Sequence, residues 1–285
     1  MAVFWLANLI AAWLFLSFPL PAATSPATIV RPASEAPFLE AEKGAVLFGS
    51  GRAFVFSRQA DAAQPIASIS KLMTALVFLE HNPGWDEIYT IGPEDQISGG
   101  KQNLFLGEKM RLKDIFHASL VASDNGATLA LVNASGLSQA EFVQAMNDKA
   151  KALGLRQTTF AEPTGLSDNN VSTAREVVLL ARAAFQEEAI RQAVSRSAYE
   201  FATLEGREKY LESTDRLLGG QDGRFRLLAG KTGYTEAAGY CFVALAQDES
   251  GRQVISAVLG GASDRSRFAD SARLIDWALG SQAGK

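Results

Sequence analysis

Cysteine and histidine are almost absent from this sequence of 285 residues, and their scarcity excludes several kinds of site. The single cysteine, Cys241, rules out an intramolecular disulfide and a thiolate metal cluster. The two histidines, His81 and His117, leave few ways to build a histidine-rich metal site or a Ser-His-Asp triad. If the chain catalyses hydrolysis, its general base is therefore expected to be a residue other than histidine.

The chain also lacks an excess of positive charge. It has 27 Lys and Arg against 31 Asp and Glu, which gives a formal net charge of −4. A protein that binds nucleic acid would show a basic surface, so no nucleic-acid partner is expected. With 47% hydrophobic and 20% charged residues, the composition is that of an ordinary globular protein of one large or two modest domains.

The first 23 residues form an apolar segment, and no Lys or Arg occurs before Arg31. The segment ends at Pro19 and Pro21, followed by small residues, which is typical of the end of a secretory signal peptide. An N-terminal anchor that stays uncleaved is the alternative, since about 20 apolar residues can span a bilayer. Both interpretations predict export to the periplasm or another extracytoplasmic cell-wall space. Membrane contact is expected only through this segment, and only if it stays uncleaved. Residues 24–37, which contain three prolines, are predicted to be a linker.

Beyond the linker, the hydrophobic patterns indicate strands, then helices, then strands. Apolar residues at 45–48 and 53–56 surround a Gly-Ser-Gly-Arg turn and predict a β-hairpin. Helical periodicity predicts five helices in the middle of the chain, at 68–80, 111–121, 125–132, 138–153 and 173–185, the last with Ser172 as its N-cap. Three more strands are predicted at 225–234, 240–246 and 254–259, and a final helix after Asp264. This order predicts an α+β fold with an antiparallel sheet.

The first motif with chemical potential is Ser68-Ile69-Ser70-Lys71. Residues three apart on a helix share a face, so the hydroxyl of Ser68 and the amine of Lys71 can meet. Burial of such a lysine lowers its pKa, which allows it to accept a proton near neutral pH. Ser and Lys at this spacing also arise by chance, and the alternative is a surface lysine one turn after a helix cap.

The second motif is Ser123-Asp124-Asn125, between two predicted helices. A hydroxyl and an amide at this junction can project into a cleft, where the hydroxyl relays a proton and the amide orients a substrate or a lysine. All three residue types are also favoured as N-caps, which is the alternative. The sequence repeats the motif at 167–169, but only Ser123 follows an apolar helix that would fix it against the core.

The third motif is Lys231-Thr232-Gly233, on the first of the C-terminal strands. Lys231 and Thr232 can bind a carboxylate, and the positive charge of Lys231 can help to keep Lys71 deprotonated. Gly233 lets another backbone approach the strand closely. The alternative is an exposed lysine near a strand end.

Together and in this order, the three motifs form the set that marks penicillin-binding proteins and class A β-lactamases. The longer segments 65–75, 162–166, 172–175, 231–235 and 237–240 resemble those of the serine-type D-alanyl-D-alanine carboxypeptidase family, and the resemblance extends over residues 41–279. It implies a β-lactamase/transpeptidase-like catalytic domain at 38–282. In that fold an antiparallel sheet of about five strands is flanked by terminal helices, and an all-helical subdomain, here roughly 65–195, is inserted.

The same resemblance implies an exported enzyme that removes the terminal D-alanine from peptidoglycan stem peptides without a cofactor or a metal. Ser68 would attack the carbonyl between two D-alanines, Lys71 would take its proton, and Ser123 would pass a proton to the departing amine. The resemblance implies a substrate-binding role for five residues: Asn125, Lys231, Thr232, Gly233 and Tyr234. The backbone N–H groups of Ser68 and Tyr234 would form the oxyanion hole, and β-lactam antibiotics would acylate Ser68.

Glu162 departs from the family pattern, because many members have Asn before Pro-Thr-Gly-Leu. Glutamate there resembles the branch of DD-endopeptidases, which cleave peptidoglycan crosslinks, so this activity is the main alternative. A β-lactamase, with Glu162 holding a deacylating water, and a catalytically silent wall-binding homologue are further alternatives. We expect Glu162 to structure its loop instead. Ala262 stands where some relatives have a basic residue, which leaves Arg265 or Arg267 as possible helpers in carboxylate binding.

Overall fold

The structure, a computed structural model, describes residues 36–49, 51, 53–218 and 224–280. The predicted signal peptide or anchor, and the predicted linker as far as residue 35, lie outside these residues. Within the described part, none of the helices is long and apolar enough to cross a membrane.

A five-stranded antiparallel sheet forms the centre of the molecule. Its strands come from the two ends of the described chain: β1 (Lys43–Phe48), β2 (Phe54–Arg58), β9 (Arg226–Thr235), β10 (Gly239–Gln247) and β11 (Gln253–Gly261). Their order in the sheet is β2-β1-β11-β10-β9. The predicted hairpin is present, since β1 pairs with β2. The predicted C-terminal strands pair as a meander, because β10 lies between β9 and β11.

Strand alternation explains how the sheet buries both of its faces. In β11, Ile255 and Ala257 belong to the larger core cluster, whereas Val254 and Val258 belong to a second cluster on the opposite face. Successive side chains of a strand point to opposite sides, so a strand that is apolar throughout requires cover on both sides. The terminal helix α7 (Asp264–Gly280) covers the second cluster.

The larger core cluster joins the other face of the sheet to the helices of the middle of the chain. These helices are α1 (Lys71–Glu80), α2 (Leu112–Val121), α3 (Asn125–Ala134), α4 (Gln139–Ala152), α5 (Ala174–Gln186) and α6 (Glu188–Val194). The α+β class with a five-stranded antiparallel sheet is confirmed. The sheet is flanked by α7 on one face and by α5, from the middle of the chain, on the other.

Three two-stranded sheets complete the described structure, and two of them place short strands in a middle region that was predicted to be entirely helical. The pairs are β3 (Gln64–Pro65) with β6 (Val171–Ser172), β4 (Ile88–Thr90) with β5 (Lys109–Arg111), and β7 (Ala198–Ala202) with β8 (Glu208–Glu212). The predicted N-cap of α5 was also wrong by one residue. Thr173 caps the helix by accepting a hydrogen bond from Glu176 N, whereas Ser172 bonds to Thr158.

Candidate active site

The first motif lies where the chain passes from β3 into α1. Ser68 belongs to a 3₁₀ turn, Ala67–Ser70, and the α-helix starts only at Lys71, so the predicted helix over 68–80 begins later than expected. The turn still brings the two side chains together, with Lys71 Nζ 3.1 Å from Ser68 Oγ. Ser68 is half-buried at the wall of a cleft, whereas Lys71 is completely buried.

Lys71 Nζ has two further partners, both of which can only accept hydrogen bonds. It donates at 2.6 Å to Asn125 Oδ1 and at 2.6 Å to the backbone carbonyl of Thr164. A neutral amine has two N–H groups and one lone pair. When Asn125 and Thr164 take the two N–H groups, the lone pair is left to face Ser68 Oγ, which is the orientation that a proton acceptor needs.

Burial lowers the pKa of Lys71 to about 7. The carboxylates of Glu162 and Asp124 act in the opposite direction and raise this pKa, but their effect is smaller. Burial also lowers the pKa of Lys231 well below its usual range, and the charge of Lys71 adds to that effect. Repulsion from the charge of Lys231 was predicted to help keep Lys71 neutral. The structure gives burial as the main cause for both lysines.

The second motif places Ser123 and Asn125 at the same cleft, and Asp124 takes the capping role. The carboxylate of Asp124 accepts a hydrogen bond from Ala127 N and so caps α3. Ser123 has a φ of +59°, a left-handed conformation that costs a serine free energy. Its hydroxyl accepts a 2.8 Å hydrogen bond from Lys231 Nζ.

The repeated copy of this motif has no such placement. Ser167 N donates to the carboxylate of Glu162, and Asp168 and Asn169 are exposed. The copy is thus part of a turn.

The third motif lies on β9, at the edge of the sheet. Lys231 is buried, which excludes the alternative of a surface lysine, and Thr232 Oγ1 donates to Thr214 Oγ1 at 2.6 Å. A Cβ on Gly233 would stand only 2.6 Å from the carbonyl oxygen of Ile66, so only glycine allows β9 to lie this close to the nucleophile segment. Tyr234 is 49% exposed.

These residues open onto a cleft of about 850 Å³. Six of the predicted site residues line the cleft: Ser68, Ser123, Asn125, Thr232, Gly233 and Tyr234. The other two, Lys71 and Lys231, are buried behind this wall and form hydrogen bonds with Ser68 and Ser123. Five lining residues from the segment after β8 were not predicted: Ser213, Thr214, Asp215, Arg216 and Leu218. Their contribution depends on tertiary packing, and no local sequence signal marks them.

The structure also distinguishes the two arginines that follow the last strand. Arg267 is buried, lines the cleft and donates to the carbonyl oxygen of Gly233 at 3.1 Å, with Asp264 as its ion-pair partner. Arg265 is exposed on α7 and is not among the residues that line the cleft. Arg267 therefore stabilises the strand that carries the third motif through a hydrogen bond to its backbone.

Comparison with known proteins adds family evidence to this geometry. The family model described as D-alanyl-D-alanine carboxypeptidase matches residues 33–263. A D-alanyl-D-alanine endopeptidase of Escherichia coli is 35% identical over 227 residues, which cover 78% of this chain and 72% of the relative. The D-alanyl-D-alanine carboxypeptidase DacF of Bacillus subtilis is 31% identical over 264 residues, 88% of this chain and 63% of the relative.

Solved structures of similar proteins share the fold. Penicillin-binding protein D2 from Listeria monocytogenes, in its cefotaxime-bound form, superposes with a TM-score of 0.74 at 32% identity and covers 85% of this chain and 98% of its own. A D-alanyl-D-alanine carboxypeptidase from Mycobacterium tuberculosis gives a TM-score of 0.79 at 26% identity, with coverage of 93% and 97%.

Proposed function

Because this chain belongs to the D-alanyl-D-alanine carboxypeptidase family, we propose that it is a serine-type hydrolase that removes the terminal D-alanine from peptidoglycan stem peptides. The observation that carries the proposal is the buried Lys71, whose Nζ lies 3.1 Å from the hydroxyl of Ser68 at the wall of the cleft. A serine beside a lysine with a pKa of about 7 has a base that is partly neutral at neutral pH.

In the acylation step, Lys71 accepts the proton of Ser68 while Oγ attacks the carbonyl carbon between the two D-alanines. The backbone N–H groups of Ser68 and Tyr234 stabilise the oxyanion that forms. The close contact of Gly233 with the segment before Ser68 supports this assignment, because it places the backbone that carries Ser68 N–H beside the strand that carries Tyr234 N–H.

To complete acylation, the tetrahedral intermediate collapses: the C–N bond breaks, and the departing amine of D-alanine takes up the proton that Lys71 removed from Ser68. Ser123 passes that proton, and its hydrogen bond with Lys231 Nζ fixes the hydroxyl for the transfer. Lys231 and Thr232 bind the terminal carboxylate, Gly233 and Tyr234 contact the substrate backbone, and Asn125 orients the substrate. Water then attacks the acyl-enzyme and releases the shortened peptide together with free Ser68.

β-Lactam antibiotics enter the same site, because their strained amide is attacked by Ser68 as the peptide is. The cefotaxime-bound relative from Listeria monocytogenes supports this part of the proposal. We place the enzyme outside the cytoplasm, in the periplasm or another cell-wall space, where its substrate lies.

A DD-endopeptidase is the second candidate. Two observations favour it: Glu162 at the position where carboxypeptidase relatives often have Asn, and the likeness to the Escherichia coli endopeptidase. A crosslink differs from a stem peptide in the bulk of its leaving group, which must fit beyond the scissile bond. The segment from Thr214 to Arg216 lines the cleft and would border that space.

One experiment separates the candidates and tests the shared chemistry. Purified enzyme is incubated with pentapeptide muropeptides and with crosslinked dimers, and the products are identified by mass. Release of D-alanine from pentapeptides alone supports the carboxypeptidase, and loss of dimers supports the endopeptidase. The Ser68→Ala variant is the control, and we expect it to lose both activities and labelling by fluorescent penicillin. A wild type that neither turns over substrate nor binds penicillin would contradict the proposal.

A further inference from the structure

The carboxylate of Glu162 accepts five hydrogen bonds from the turn that follows it. Its Oε2 accepts from Thr164 N and Thr164 Oγ1, both at 2.6 Å. Its Oε1 accepts from Gly165 N at 2.6 Å, Ser167 N at 3.2 Å and Asn170 Nδ2 at 3.1 Å. Every partner donates, so the full set of bonds requires an ionised carboxylate, which offers acceptors only.

The same turn contacts the nucleophile segment and its helix at three consecutive residues. Pro163 accepts a 2.6 Å hydrogen bond from Thr74 Oγ1, and Thr164 accepts the 2.6 Å bond from Lys71 Nζ, in both cases with the backbone carbonyl. A Cβ on Gly165 would lie 2.2 Å from the carbonyl oxygen of Ala67, so the turn is pressed against the residue before Ser68. A displacement of this turn would therefore move one of the two acceptors that orient Lys71.

We propose that Glu162 is a positioning residue for acylation, which folds the turn so that the Thr164 carbonyl oxygen faces Lys71 Nζ and directs the lone pair of the amine at Ser68. The inference rests on the proposed function, because it assigns a role within the chemistry of Ser68 and Lys71. It gives Glu162 a role in the orientation of the base, in addition to a role in the loop.

Substitution by glutamine is the informative change, because it keeps the size of the side chain. The amide of Gln would place an NH₂ group against N–H donors of the turn, either those of Thr164 or those of Gly165 and Ser167. The turn must then shift, and with it the Thr164 carbonyl. A shift of about 1 Å in a reacting constellation can reduce the rate by about 100-fold.

The charge of Glu162 supplies a second, separate readout. The charged groups that surround Lys71 are Glu162 in the turn, Asp124 before α3 and Lys231 on β9. Glu162 stabilises the ammonium form, so its neutralisation lowers the pKa of Lys71. Acylation requires the neutral amine, so its rate rises with pH through this pKa. The acidic limb of the profile should then move to lower pH in Glu162→Gln.

The test is the rate of penicillin acylation between pH 5 and 9 for the wild type, Glu162→Gln and Glu162→Asp, each first checked for folding by thermal unfolding. We expect Glu162→Gln to be about 10- to 100-fold slower on the plateau, with its acidic limb at lower pH. Glu162→Asp keeps the charge and should leave the limb in place. Glu141→Gln is the matched control. Glu141 belongs to the capping box of α4, away from the cleft, where its carboxylate accepts hydrogen bonds from Ser138 N and Ser138 Oγ. The pH profile of this variant should equal that of the wild type.

Two results would overturn the inference. One is a plateau rate of Glu162→Gln equal to that of the wild type. The other is a lower rate with an unmoved acidic limb, which would reduce Glu162 to a structural role. Both leave the proposed function intact, because that fails only if the wild type itself neither binds penicillin nor turns over substrate.

Discussion

Lys71 Nζ donates a 2.6 Å hydrogen bond to Asn125 Oδ1, across 54 positions of the chain. Asn125 is the first residue of α3, and its own Nδ2 donates to the carbonyl oxygen of Gly99 at 3.1 Å. The amide is therefore fixed in one orientation, with its oxygen towards the lysine. A neutral acceptor here holds the amine without adding a charge that would keep it protonated.

Replacement of Asn125 by Asp should move the pH dependence of acylation to higher pH. A carboxylate beside Lys71 favours the ammonium form, so the pKa of Lys71 should rise from about 7 by about one unit or more. Acylation needs the neutral amine. The midpoint of the acidic limb in the pH profile of penicillin acylation should therefore move to higher pH by the same amount. Asn147→Asp is the control, because the amide of Asn147 bonds to the backbone of residues 143 and 160 and not to Lys71. An unmoved limb in Asn125→Asp would show that Lys71 is not the titrating base.

A single methyl group on Gly233 should impair acylation more than it impairs folding. The new Cβ would lie 2.6 Å from Ile66 O and 3.2 Å from Ser68 N, so β9 and the nucleophile segment must separate. Loss of alignment at the oxyanion hole typically costs about 100- to 1,000-fold in rate. The measurement is penicillin labelling of Gly233→Ala, with Gly280→Ala as the control, because no neighbour among the described residues lies within 4 Å of a Cβ there. A wild-type labelling rate in Gly233→Ala would show that this close contact has no catalytic consequence.

The sheet and most helices could be predicted because their signals are local. The strands β10 and β11 are apolar along most of their length, and the end of α4 is marked by Gly154, which has a φ of +76°. The hairpin of β7 and β8 was missed because charged residues interrupt its apolar alternation.

The site could be predicted as three motifs, but the way they are held together could not. The contact of Thr232 with Thr214 and that of Arg267 with Gly233 join residues that no sequence spacing relates. The same holds for the Thr164 carbonyl at Lys71, because a backbone acceptor has no signature in the side-chain pattern. Such contacts depend on tertiary packing, which brings together segments that lie far apart in the chain.

Asp215 should make the stability of the protein depend on pH below neutrality. Burial raises the pKa of this carboxyl to about 6 from its ordinary value of 3.8, and its Oδ2 has no hydrogen-bond partner among the described residues. The folded state therefore binds the proton more tightly than the unfolded state. As the pH rises from 4 to 6, this carboxyl ionises in the unfolded state but stays protonated in the folded state, which reduces the free energy of unfolding. The free energy of unfolding of Asp215→Asn minus that of the wild type should therefore increase by about 2 to 3 kcal/mol when the pH is raised from 4 to 7.

Urea unfolding at the two pH values measures this difference. Asp86→Asn, at an exposed position, is the control, and the difference between that variant and the wild type should stay small at both pH values. A constant difference between Asp215→Asn and the wild type would contradict the raised pKa of Asp215.

Penicillin bound to Ser68 should remain on the enzyme for minutes or longer. Rapid hydrolysis of the adduct, as in a β-lactamase, requires a carboxylate that holds and activates a water molecule. Glu162 cannot supply one while both of its oxygens accept hydrogen bonds from the backbone and side chains of its own turn. The mass of the intact protein, followed over time after removal of free penicillin, measures the lifetime of the adduct. Return to the unmodified mass within seconds, lost in Glu162→Gln, would instead assign Glu162 to deacylation and favour a β-lactamase.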